Sequence, residues 1–210
     1  MTLYGNDSCC KYFIIDSVLF VGDNTTTRRN AVVNPSAVPS TIVIPDYFDS
    51  FPVKCIGQYA FTNLVGVTNI VLGKNVVSIY KYALGDLPNL RTINIPSSVQ
   101  FLGPSSISFY NNSNNSAGRS LTQVLFEPKS SLEVISQSVF LNSINVQIFI
   151  PDKINNAKCA TKFDSSIEII SPVKQYLCGK ETRFNISMYE SDIKNIISNV
   201  IFFLSITLSS

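Results

Sequence analysis

The sequence predicts a mainly β solenoid, with short strands stacked in successive coils and a C-terminal helix. Three observations predict it. A pattern of apolar positions recurs about every 23 residues. Each copy holds two short β-like steps bounded by Pro or Gly. The last stretch changes period from two to about four.

The recurrence is visible when segments are set beneath one another. Thr41–Leu64 reads TIVIPDYFDSFPVKCIGQYAFTNL, Thr68–Leu87 reads TNIVLGKNVVSIYKYALGDL, and Arg91–Tyr110 reads RTINIPSSVQFLGPSSISFY. Ile70 aligns with Ile93, Ile79 with Leu102, Ala60 with Ala83, and Phe61 with Leu84 and then Ile107. A fourth copy, Leu121–Asn142, is displaced by the polar tract 111–118, NNSNNSAG, and a fifth, partial copy is Gln147–Pro151.

The first step of each coil is a β-branched alternation, often closed by Pro: Ile42–Pro45, Ile93–Pro96, Ile148–Pro151. Proline ends such a strand because it has no N–H for the ladder. The second step is shorter: Cys55-Ile56-Gly57, Ser78-Ile79, Phe101-Leu102-Gly103, Val134-Ile135. Beyond it lies a large apolar residue that plugs the coil interior: Phe61, Leu84, Ile107, Phe140. One such coil cannot bury its own apolar ladder, so the copies must stack.

These residues carry a family resemblance. Ile93-Asn94-Ile95-Pro96-Ser97-Ser98-Val99 and Cys55-Ile56-Gly57-Gln58-Tyr59-Ala60-Phe61-Thr62-Asn63-Leu64 resemble the two halves of the BspA-type leucine-rich repeat. Leu84, Ile107 and Val139 depart from the usual residues, apolar for apolar. The resemblance implies a leucine-rich repeat solenoid in right-handed coils, with about five coils over residues 38–171. It implies a non-enzymatic protein-interaction module in cell-surface adhesion or host interaction, with a protein or surface glycoconjugate as partner. It implies no shared active site and no cofactor.

Solenoids need caps. Residues 1–37 are expected to supply the N-terminal one, with one or two strands in Lys11–Val21 around a turn at Asp16-Ser17. Residues 172–210 form the C-terminal segment. There Ser187 and Glu190 fit a capping box, and Ile193, Ile196, Ile197, Val200, Ile201 and Leu204 recur at helical spacing. A helix over 188–206 is expected to cap the stack or to associate with a membrane. Its apolar stretch is short of the ~20 residues a spanning helix needs.

Composition prunes the chemistry. The chain has 210 residues and no His, which removes Ser-His-Asp and Cys-His catalysis and the His-containing zinc sites. A net charge of +2 argues against nucleic acid as a partner. Five cysteines without a CxxC read as free, partly buried thiols, or as holding one pair in an oxidising compartment with nothing to say which two, and no metal site is expected. Residues 1–16 show no basic and apolar leader pattern, which leaves a cytoplasmic scaffold as the alternative to a surface protein. Glu127 and Glu133, six apart across Pro128, are the carboxylate pair that a glycan-active enzyme would use. Such residues are far more often solvated turn positions.

What remains is a repeated surface. Side chains alternate along a strand, so Val43, Val71, Asn94, Leu125 and Phe149 face outward between core residues. The outward position upstream holds Thr41, Asn69, Thr92, Gln123 and Gln147. These ten residues make a two-column stripe, apolar beside amide or hydroxyl, and form the candidate binding site.

Overall fold

The computed structural model describes residues 1–108, 121–143, 145–154, 157–163 and 165–184. The first strands of the coils form the front of a solenoid. Thr41–Val43 pairs in parallel with Asn69–Val71. Beside this pair lies a five-stranded parallel sheet: Thr92–Ile95, Gln123–Phe126, Gln147–Phe149, Glu168–Ser171 and Arg183–Phe184. The second steps form the back. Phe51–Ile56, Ser78–Ile79, Phe101–Leu102, Val134–Ile135 and Lys158–Cys159 pair in parallel, each with the next.

Register follows the repeat. Ile56 sits beside Ile79, Ile79 beside Leu102, and Leu102 beside Ile135. On the front, Ile93 sits beside Val124, Val124 beside Ile148, and Ile148 beside Ile169. All of these are buried, and they line one continuous core. The plug residues Phe61, Leu84, Ile107 and Phe140 are buried in the same core, next to Ala60, Ala83, Ser106 and Val139.

The third side of each coil is a turn ladder. Phe61 N–H donates to the Ala83 carbonyl, Leu84 N–H to Ser106, and Ile107 N–H to Val139, so backbone bonds again join coil to coil. The turn places Tyr59, Tyr82, Ser105 and Ser138 at φ of 56°, 53°, 54° and 58°. That left-handed conformation costs a non-glycine residue roughly 1–2 kcal/mol. It recurs at one repeat position because it aims each N–H at the next coil. Glycine is required elsewhere, for close approach: a Cβ on Gly103 would lie 2.9 Å from the Ile79 carbonyl oxygen.

Among the described residues the front carries six rungs from Thr41 to Ser171, with the short Arg183–Phe184 strand beyond them, where the sequence reading counts about five coils. The sixth, Glu168–Ser171, is closed by Pro172, as the first, third and fifth are by Pro45, Pro96 and Pro151, but it carries Ser171 where those rungs have their second inward Ile. The N-terminal hairpin Lys11–Ile15/Val18–Val21 turns at Asp16 and Ser17, both left-handed, as a two-residue turn between right-twisted strands requires. Thr2–Asn6 adds a third strand, and Val18–Val21 joins the whole cap to the back sheet through Phe51–Ile56.

The first coil is lengthened by a hairpin, Tyr47–Phe48 against Phe51–Ile56. Phe48 stacks on Tyr12 at 3.9 Å, Tyr4 meets Phe51 edge-on at 5.2 Å, and the Tyr4 hydroxyl donates to Asp49. The aromatic cluster ties the cap to the first coil. The expected helix over 188–206 lies outside the described residues, and among the described residues no helix is long and apolar enough to cross a membrane.

Of the two readings of the cysteines, the structure shows one pair and three free thiols. Cys159 and Cys178 form a disulfide that ties the last back strand to the chain beyond the sixth rung. Their side chains meet because the coil returns on itself, which spacing alone does not reveal. Cys9, Cys10 and Cys55 are free. Burial pushes the Cys55 thiol up to about 12, so it stays neutral and inert at physiological pH.

Two predictions follow from this packing. Ile79 is fully buried in the ladder whereas Val43 is half exposed. Ile79→Ala is expected to lower stability by about 2–5 kcal/mol in chemical denaturation, and Val43→Ala by less than about 0.5 kcal/mol. The disulfide spans 19 residues, and closing such a loop is worth roughly 3 kcal/mol. Reduction is expected to lower the melting temperature and to release amide protection at Ile169 and Leu177 before Ile79.

Candidate functional site

The ten stripe residues occupy two adjacent columns on the outer side of the front strands. Pairing sets Thr41 beside Asn69, Thr92 beside Gln123, and Gln123 beside Gln147. It also sets Val43 beside Val71, Asn94 beside Leu125, and Leu125 beside Phe149. The sixth rung extends both columns, with Glu168 after Gln147 and Ile170 after Phe149. Sequence reasoning missed these two residues. The signal was present in Glu168-Ile169-Ile170-Ser171-Pro172, a β-branched step closed by Pro as in the first, third and fifth rungs.

The polar column is uniform in exposure. Thr41, Asn69, Thr92, Gln123, Gln147 and Glu168 are all partly exposed. At its C-terminal end the Gln147 side-chain amide donates to Glu168 at 3.1 Å, and Arg183 pairs with the same carboxylate. The Arg183 guanidinium bonded to Glu168 holds that carboxyl below its ordinary range.

The apolar column divides. Val43 is 51% exposed, and Val71 and Asn94 are partly exposed. Leu125, Phe149 and Ile170 are only 8%, 5% and 2% exposed. They pack on one another as a second apolar cluster, separate from the solenoid core. The stripe expected to be open along its whole length is therefore open over its first three rungs only. Burial of Leu125 and Phe149 removes them from direct contact with a partner in this state. Asn94 marks the boundary, with its Oδ1 buried and without a hydrogen-bond partner among the described residues.

Of the two candidate catalytic carboxylates, Glu127 has structural work, as do Asp46 and Asp152 at other turns. Glu127 Oε2 accepts the Ser97 N–H of the preceding coil at 3.0 Å. Asp46 accepts the Lys74 N–H and Asp152 the Lys129 N–H, both at 2.6 Å. Each caps a turn of a neighbouring coil with a charge-assisted bond. Glu133 is exposed, and its own backbone N–H is spent on Gln100. Among the described residues no three Cys, Asp or Glu come together as metal ligands.

The repeat is matched by comparison with known proteins. A BspA type leucine-rich repeat region matches residues 40–170 in six copies, the same number as the front rungs. No curated protein matches the chain. Among solved structures, a leucine-rich repeat protein from Bacteroides ovatus is similar at 16% identity, covering 79% of this chain and 70% of its own, with a TM-score of 0.24. So remote a likeness leaves the assignment on the repeat match, which spans more than half of the sequence. The chain belongs to the BspA type leucine-rich repeat family.

Proposed function

We propose that this chain is a non-enzymatic protein-interaction module, working at a cell surface in adhesion or host contact. Its binding face is the open half of the outward stripe: Thr41, Val43, Asn69, Val71, Thr92 and Asn94. The observation that carries this is the exposure of Val43, 51%, on a sheet exterior whose other half is closed. Val43 and Val71 offer an apolar strip, and Thr41, Asn69 and Thr92 offer hydroxyl and amide groups beside it. That pairing suits a protein surface, where an apolar centre excludes water and a polar flank sets register.

The surface location is supported by the Cys159–Cys178 disulfide, since such bonds persist in oxidising compartments. The non-enzymatic reading is supported by the use of Glu127, Asp46 and Asp152 as turn caps. An intracellular scaffold is the competing account, and protease applied to intact cells separates the two.

The test is a folded double variant, Val43→Asp with Val71→Asp, on the full chain. Binding of labelled protein to the target cell surface is expected to fall at least about tenfold, the scale of one or two lost hot-spot residues. Circular dichroism and melting should change little, because Val43 is exposed and Val71 is not in the core. Unchanged binding by the folded variant would remove the stripe as the binding face.

A further inference from the structure

The back sheet carries its own template for a bound aromatic ring. One residue past the ladder of Ile56, Ile79, Leu102, Ile135 and Cys159, successive coils hold Gly57, Tyr80, Gly103, Ser136 and Ala160. These positions share one backbone geometry. The N–H groups of Tyr80, Gly103, Ser136 and Ala160 donate in turn to the carbonyls of Ile56, Ile79, Leu102 and Ile135, each in the coil before. At the second coil the position holds a ring. Tyr80 is half-buried, and its ring centroid lies 5.5 Å from that of Phe20 and 5.9 Å from that of Phe101, the spacing of favourable aromatic contacts. Gly57 and Gly103, on the coils before and after, have no side chain to compete for that space.

At the fourth and fifth coils the same positions hold the small residues Ser136 and Ala160, and the space is open. A groove of about 380 Å³ lies there, walled by Pro104, Val134, Ser136, Gln137, Lys158 and Ala160. Its size falls at the lower end of the range of ligand clefts. Lys158 is exposed and is the one charged residue on its walls. Among the described residues no ion pair engages the Lys158 ammonium. The groove therefore offers an apolar slot with an unpaired cation at its rim. The Cys159–Cys178 disulfide fastens the strand that forms its far wall, which keeps the slot in shape before a partner arrives.

We propose that this groove binds an aromatic side chain of a protein partner, a Tyr or Phe flanked by acidic residues. The ring enters beside Val134 and Pro104, as the ring of Tyr80 lies beside Phe20 and Phe101 in its own coil. A carboxylate next to it in the partner meets Lys158. An aromatic anchor in a preformed slot is the kind of contact that carries most of the energy of a protein interface. The front stripe lies on the other sheet, so this is a second contact site, and it stands or falls without the first.

Amide chemical shifts of the full chain, followed while the synthetic peptide Gly-Glu-Glu-Tyr-Glu-Glu-Gly is added, test this. Saturable shifts are expected at Val134, Ser136, Lys158 and Ala160. Ser136→Tyr plugs the groove with a ring of the chain's own, as Tyr80 does one sheet position away, and should weaken peptide binding at least about tenfold with the fold intact. Should that variant not fold, Ala160→Tyr fills the same groove from the next coil. Lys158→Glu should weaken binding at least about fivefold, the scale of one exposed ion pair. No shift at these groove residues with about 1 mM peptide, the weak end of the affinity scale, would overturn the proposal. So would equal binding of a peptide with Ala in place of Tyr, or unchanged binding by the folded plugged variant. Groove shifts that grow with protein concentration in the absence of peptide would also overturn it, assigning the groove to a second copy of the chain.

Discussion

Each coil of this chain is one strand thick, and nothing of that thickness can shield an apolar side chain from water on its own. The fold depends on coils meeting in one register, so that Ile56, Ile79, Leu102 and Ile135 bury one another in sequence. The same register serves the backbone. Strand ladders on two sides and the left-handed turns on the third send each coil's N–H groups into the carbonyls of the next. A slip of one residue would turn every inward side chain to solvent and unpair the turn ladder as well. The core and the hydrogen bonds therefore enforce the same answer.

The surface inherits that constraint. Because inward positions repeat, outward positions repeat, and two columns of side chains run the length of the front without any further design. What distinguishes one part of the front from another is its exposure. Val43 and Phe149 occupy equivalent places on their rungs, and one is open while the other is closed. The acidic residues follow the same logic. Asp46, Glu127 and Asp152 sit at turns where backbone N–H groups would otherwise lack partners, and their carboxylates supply them.

Much of this was legible in the sequence because stacking demands repetition, and repetition can be read. Ile93-Asn94-Ile95-Pro96 announces a strand, its inward pair and its end. The turn at Asp16-Ser17 was legible for a similar reason, since its chemistry is local. What could not be read depends on contacts between distant parts. Phe48 and Phe51 belong to a hairpin whose purpose is to meet Tyr4 and Tyr12 of the cap, over forty residues upstream for the Tyr4 hydroxyl bond to Asp49. The sixth rung was hidden because Ser171 stands where the first, third and fifth rungs carry their second inward Ile, although Pro172 closes it as in those rungs. Cys159 and Cys178 meet only after a coil has closed. The burial of Leu125 and Phe149 was invisible, since alternation says which way a side chain points and not what waits there.

The parallel register between coils is the claim on which all of this rests, and cross-strand nuclear Overhauser contacts between backbone protons test it most directly. Val124 should show contacts to Ile93 on one side and to Ile148 on the other, with Ile79 flanked in the same way by Ile56 and Leu102. Contacts linking Val124 to residues in an antiparallel order, or a one-residue offset along these strands, would contradict the stacked solenoid and the surface built upon it.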